Sequence, residues 1–150
     1  MTTVAEILRD KGNSAIYSVS PRSTMLDALK MMAEKGVGAL LVLDGAALAG
    51  IVTERDYARK IALQGRNSSS TLVGDVMTSK VHCVLPRQTS GECMALMTTH
   101  RIRHLPVMDE NRQLVGVLSI GDLVKEIISE QQFTIQQLEH YISGTTPIHS

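Results

Sequence analysis

Two seven-residue stretches carry the most suggestive chemical spacing in the chain, GIVTERD at 50–56 and GVLSIGD at 116–122. Both read glycine, two apolar residues, a hydroxyl residue, two variable positions and aspartate. Each follows a short apolar run and opens a helical pattern, so Thr53 with Asp56 and Ser119 with Asp122 fall at the start of a helix. Ser/Thr-x-x-acid spacing is that of a capping box, in which side chains and backbone N–H groups at a helix start satisfy one another. The same geometry suits a nucleotide. A helix N-terminus offers unpaired N–H groups and a positive dipole end to phosphate, a hydroxyl adds a donor, and a carboxylate accepts both hydroxyls of a ribose. The capping and ligand readings coexist.

Cations are supplied unevenly around the two motifs. The first carries Arg55 where the second has Gly121, and the second repeat places Arg103 and His104 where the first has Gly38 and Ala39. Guanidinium groups pair phosphate in bidentate fashion, so Arg55 and Arg103 are the favoured phosphate contacts, with a solvated first-turn or edge side chain as the plain structural alternative. His104 would favour its protonated form beside phosphate and otherwise serves as a neutral hydrogen-bonding group. Gly38 and Ala39 leave room for a ligand or for tight packing. Other chemistries find little support. His100 and His104 stand four apart, but Pro106 and the strand pattern break a common helix and no acidic third ligand stands close, so no metal site is expected. Phosphate-loop, dinucleotide and nucleophile-elbow motifs are missing, and neither copy presents a poised general base. No catalytic residue is expected. Cys83 and Cys93 form no CxxC pair and read as free thiols.

The elements that position these residues occur twice. Displaced by 65 positions, Pro21, Arg22, Thr24, Met32, Leu40, Val42 and Asp44 fall on Pro86, Arg87, Thr89, Met97, Leu105, Val107 and Asp109. After one extra residue in the turn DENRQ, Leu48, Gly50, Asp56 and Ile61 fall on Leu114, Gly116, Asp122 and Ile127 at a displacement of 66. Even the preludes match, VAEIL at 4–8 resembling VGDVM at 73–77. The repeats therefore span 1–64 and 72–150, with polar GRNSSST at 65–71 as a surface linker. Within each, an extended piece (IYSV, VHCV) closes at Pro21 or Pro86, and a helix follows from Thr24 or Thr89. Two short apolar runs then read as paired strands (ALLVL with LAGIVT, LPVMD with LVGVLS), and a second helix begins at Thr53 or Ser119. In this β-α-β-β-α order, Arg101 and Arg103 alternate along a strand. One repeat is too small to bury both faces of its sheet, so the two are expected to pack as a pair in an α+β module. The last helix runs on through Ile142, and Leu123, Ile127, Ile128, Ile135, Leu138 and Ile142 leave apolar surface beyond the second repeat, a face suited to a homodimer.

The duplicated unit, VGDVMT before the second copy, RHLPV in its middle strand and the glycine-hydroxyl-aspartate pattern at its last helix resemble tandem cystathionine-beta-synthase (CBS) domains. The motifs span nearly the whole chain. That resemblance implies a pseudo-twofold pair of repeats that binds adenosine-containing ligands between the two sheets and reports occupancy to a partner, without catalysis. Carried over by position, it implies that Asp56 and Asp122 hold ribose, Thr53 and Ser119 approach phosphate, Arg103 and His104 supply cations, and Val19, Cys83 and Pro106 line the pockets with Gly38 and Ala39. The expected ligands are AMP or ADP, then ATP or NAD, then S-adenosylmethionine. The regulated partner is not legible, and a constitutive interaction scaffold with empty clefts is the alternative.

Composition narrows the classes further. The 150 residues are 43% hydrophobic and 20% charged, and 15 Lys and Arg balance 15 Asp and Glu. Such a chain folds, and has no global charge to draw it to nucleic acid or an anionic membrane. The lack of Trp and the single Phe leave little surface for stacking bases. No apolar run approaches the roughly 20 residues of a membrane helix, and the opening MTTVAEILRD carries charge where a secretory signal needs its apolar stretch, so a cytoplasmic location is expected.

Overall fold

Thr24, Thr53, Thr89 and Ser119 each cap a helix as their spacing predicts. In the computed structural model, which describes residues 2–12 and 16–143, the order is α1 (Val4–Lys11), β1 (Ser18–Val19), α2 (Met25–Lys35), β2 (Ala39–Asp44), β3 (Ala47–Thr53), α3 (Glu54–Tyr57), α4 (Val73–Val76), α5 (Ser90–His100), β4 (His104–Met108), β5 (Leu114–Ser119) and α6 (Ile120–Ile142). A π-helical turn, Ala58–Ala62, continues α3. The architecture is mixed α+β, with two repeats, β-α-β-β-α in the first and α-β-β-α in the second, and a long C-terminal helix.

The chain divides into two compact units, Ser14–Cys83, and Met1–Asn13 together with Val84–Ser150. In the first unit β1 pairs parallel with β2, and β2 antiparallel with β3. Met25, Ala28 and Met32 from α2 close over Leu40, Val42 and Val52, and Val73 and Val76 of α4 join the same core. Apolar residues at i, i+3 and i+7 bury one helix stripe against the sheet, which is why this spacing folds this way. Residues 67–71 are built into the start of α2: the amides of Met25 and Leu26 donate to the carbonyls of Thr71 (2.8 Å) and Ser68 (3.0 Å), satisfying orphan helix donors.

In the second unit β4 pairs antiparallel with β5, and Cys93 and Met97 of α5 pack with Leu105, Val107, Leu118 and Leu123. The strand expected over VHCV shrinks to one parallel bridge, Val84 to Val107. Pro106 accounts for the difference. In the first unit the Leu41 amide donates to the Tyr17 carbonyl (3.2 Å), extending the parallel ladder. Pro106 stands at the position equivalent to Leu41 and has no N–H to donate, so only the bonds around Val84 remain. Arg101 also departs from expectation. It caps α5 in the left-handed region (φ 54), the place Gly36 takes after α2 (φ 67), and the strand begins only at His104.

The preludes exchange partners. Helix α1 belongs by sequence to the first repeat, yet Val4, Ile7 and Leu8 pack into the core of the second unit, while α4 packs into that of the first. Glycine permits both contacts. A Cβ on Gly116 would lie 2.9 Å from Leu8 Cδ2, and one on Gly50 would lie 2.6 Å from the Thr78 carbonyl oxygen and 2.9 Å from Met77 Sδ. Leu123, expected on the free face of the last helix, is fully buried instead, and Ile127 is half-buried. The face left open on α6 carries Val124, Ile128, Ile135, Leu138 and Ile142, and Phe133 and Tyr141 are exposed elsewhere on the same helix.

Candidate functional site

Each aspartate motif forms a complete capping box. In the first unit the Asp56 amide donates to Thr53 Oγ1 (3.1 Å), and Asp56 Oδ2 accepts from the Thr53 amide (3.0 Å) and the Thr53 hydroxyl (3.2 Å). In the second, Asp122 Oδ2 accepts from the Ser119 amide (2.8 Å) while Ser119 Oγ accepts from the Asp122 amide (3.2 Å). The glycine-apolar-apolar approach delivers the hydroxyl residue at the strand end in extended conformation, so the helix starts one residue later.

Strand register gathers the other expected residues. Ala39 pairs with Thr53, and the Gly38 carbonyl accepts from the Glu54 amide (3.1 Å). In the equivalent places, His104 pairs with Ser119 and the Arg103 carbonyl accepts from the Ile120 amide (2.8 Å). Thus Thr53, Asp56, Gly38 and Ala39 come together in one unit, and Ser119, Asp122, Arg103 and His104 in the other. A Cβ on Gly38 would lie 3.0 Å from Glu54 Oε1, so the small residue fits the turn as well as any ligand. Arg55 and Arg103 are exposed, and neither forms an ion pair with a described residue. Val19 is half-buried beside Val42, and Pro106 is buried in β4. Cys83 is exposed and lies outside any strand. By register the counterpart of Val19 is Val84, since Val19 pairs with Val42 as Val84 bridges Val107.

Two lysines complete the arrangement, and neither is foreseen from the motifs. Lys60 Nζ lies 3.1 Å from Asp56 Oδ1 and donates to the Val76 carbonyl (2.7 Å). Lys11 Nζ lies 3.0 Å from Asp122 Oδ2 and donates to the Val117 carbonyl (3.0 Å). The i,i+4 spacing from Asp56 to Lys60 is a local signal. Lys11 has none, because only the prelude exchange brings α1 to β5. Electrostatics follow this geometry. Burial pushes the Asp122 carboxyl upward, but the Ser119 amide and the Lys11 ammonium outweigh it and hold the group below its ordinary range. Burial lowers His104, opposed by Asp122 and reinforced by Lys11 and Arg103, so its neutral form is favoured. Burial, with Glu92 beside it, raises Cys93 to about 11 and leaves it an inert thiol. Among the described residues no group of His, Cys, Asp and Glu could hold a metal ion, and no helix is long and apolar enough to cross a membrane.

An α-β-β-α unit present twice, each copy with an acid-capped helix start beside its paired strands, defines a tandem-repeat α+β module. The model of the CBS domain matches residues 3–63 and 73–129, and the chain belongs to that family. It is 44% identical over 151 residues to the CBS domain-containing protein CBSX3, mitochondrial, of Arabidopsis thaliana, covering 95% of this chain and 73% of that protein. A solved CBS-domain protein from Burkholderia ambifaria MC40-6 matches with TM-score 0.82 and 59% identity, over 89% of this chain and 99% of that one. The CBS domain pair of protein MJ0100, solved with 5-methylthioadenosine and S-adenosyl-L-methionine, shares the fold at TM-score 0.74 and 21% identity, over 87% of this chain and 98% of that one.

Proposed function

We propose that this protein is a regulatory CBS pair that binds an adenine nucleotide and passes its occupancy to a partner protein, without turning the nucleotide over. The observation that carries this reading is the set of groups around Asp122: a carboxylate held ionised for a ribose diol at the capped start of α6, with Arg103 just before β4 and His104 at its first residue for phosphate. Thr53, Arg55 and Asp56 repeat the pattern in the first unit. The adenosine ligands held by the MJ0100 pair support the ligand class, with AMP or ADP preferred here, then ATP or NAD, then S-adenosylmethionine. Val19, Val84 and Pro106 are the proposed apolar lining. A second copy of the chain is proposed to cover the open face of α6, giving a homodimer. The compartment proposed is the cytoplasm. Cell fractionation checks it, with the mitochondrial designation of the Arabidopsis relative as the competing outcome.

The deciding experiment is calorimetric titration of nucleotide-stripped protein with AMP, ATP, NAD and S-adenosylmethionine. Saturable binding of one of these, weakened by Asp122→Asn, is expected. Binding of none would leave an interaction scaffold.

A further inference from the structure

The two capping aspartates are engaged to different extents. Asp56 has both carboxylate oxygens occupied: Oδ2 accepts the Thr53 amide and hydroxyl, and Oδ1 receives the Lys60 ammonium at 3.1 Å. Its side chain is only 12% exposed. Lys60 is itself held, because its ammonium also donates to the Val76 carbonyl at 2.7 Å, and Val76 is buried. The backbone beneath it is a π-helical turn closed by the Leu63 amide on the Ala58 carbonyl at 3.0 Å. Asp122 differs. Its Ser119 amide and its Lys11 ammonium both converge on Oδ2, and Oδ1 receives no hydrogen bond from a described residue. Its side chain is 20% exposed.

A ribose diol donates two hydrogen bonds and needs open acceptor positions. Lys11 is likewise tied at two ends, to Asp122 Oδ2 and the Val117 carbonyl, but it leaves Oδ1 of Asp122 open to both hydroxyls, whereas the diol at Asp56 must first displace the Lys60 ammonium from Oδ1. The second repeat leaves that oxygen open for a reason visible in the chain. The position matching Lys60, at the same displacement that relates Asp56 to Asp122, is Glu126, whose carboxylate accepts from the Thr2 hydroxyl at 2.9 Å. A glutamate there cannot pair with an aspartate.

We infer that Lys60 locks the first repeat against ligand, so that each chain takes one adenosine ligand, at Asp122, and that removing the Lys60 charge opens the second position at Asp56. The inference rests on the nucleotide-binding reading above. Titration of the stripped full chain with AMP tests it. One AMP per chain is expected for the parent, and Asp122→Asn should weaken that event about 10- to 100-fold, the loss of a charge-assisted hydrogen bond. Lys60→Met should show two AMP per chain, and Lys60→Met combined with Asp56→Asn should return to one. Lys60→Gln removes the charge while keeping a donor for the Val76 carbonyl, and serves if Lys60→Met melts early. Two AMP per chain in the parent overturns the lock, as does a folded Lys60→Met or Lys60→Gln protein that still binds one. Absence of AMP, ATP, NAD and S-adenosylmethionine binding in the parent overturns the nucleotide reading itself, a distinct result.

Discussion

Asp122 and His104 both sit below their ordinary values, and both leave measurable marks. His104 sits below its ordinary value because burial disfavours the imidazolium. The unfolded chain therefore binds this proton more readily, so the contribution to stability is complete above about pH 6.5 and is lost as pH falls below it. A bound phosphate beside the ring reverses the preference. The His104 ring resonance, followed by NMR through pH 5 to 8, should titrate at higher pH with AMP than without, and an unchanged midpoint would remove His104 from the phosphate contacts. Asp122 works in the same direction at lower pH: its depressed value contributes stability above about pH 3.8 that disappears as pH drops through the folded value. Of the thiols, exposed Cys83 should react with a disulfide reagent in the native protein, and Cys93, buried and raised to about 11, only on unfolding. Labelling followed by peptide mass analysis distinguishes them. At this scale the sequence made the aspartates, hydroxyls and arginines visible by spacing, but it could not show which carboxylate oxygen stays open, because that depends on where the Lys60 ammonium settles and on Lys11 arriving from a distant element.

The elements were legible where their signals are local. Thr24 with Asp27, and Thr89 with Glu92, start helices at the expected residues because the capping hydroxyl and the amide that donates to it lie within one turn. The strand at VHCV was not, since its fate depends on Pro106 across the sheet, and Arg101 followed the helix-end geometry that Gly36 reveals in the first copy. Close approach at the two strand glycines gives a graded test. Gly50→Ala meets a backbone oxygen at 2.6 Å and should destabilise the protein by about 1–3 kcal/mol, the cost of overpacking. Gly116→Ala meets the end of the Leu8 side chain, which turns aside more easily, and should cost less. Denaturant midpoints measured side by side decide the order. On α6, Leu138→Glu should split the proposed homodimer into monomers by light scattering while leaving the melting temperature of the monomer unchanged, since Leu138 is 56% exposed.

For the whole molecule, the exchanged preludes matter most. Because α1 buries Val4, Ile7 and Leu8 in the second unit, deleting residues 2–11 should speed amide exchange in β4 and β5 and spare β2 and β3. The reverse pattern would mean that α1 belongs with the repeat it precedes in sequence. Deletion also removes Lys11, so the Asp122 carboxyl should move back toward its ordinary value. Ligand at 100 times its dissociation constant should add about 2.7 kcal/mol to unfolding, read as a raised melting temperature in the parent.

Duplication, helix starts, strand pairs and the residue types of both motifs were determined by sequence alone, since each rests on contacts within a few positions or on a pattern repeated along the chain. Tertiary structure decided which prelude packs on which sheet, that Leu123 is core, and that Lys11 reaches Asp122. The reason is physical. Capping and periodic burial are short-range and leave their spacing in the sequence, whereas an ammonium reaching a carboxylate more than a hundred residues away, as Lys11 does Asp122, depends on how whole elements pack.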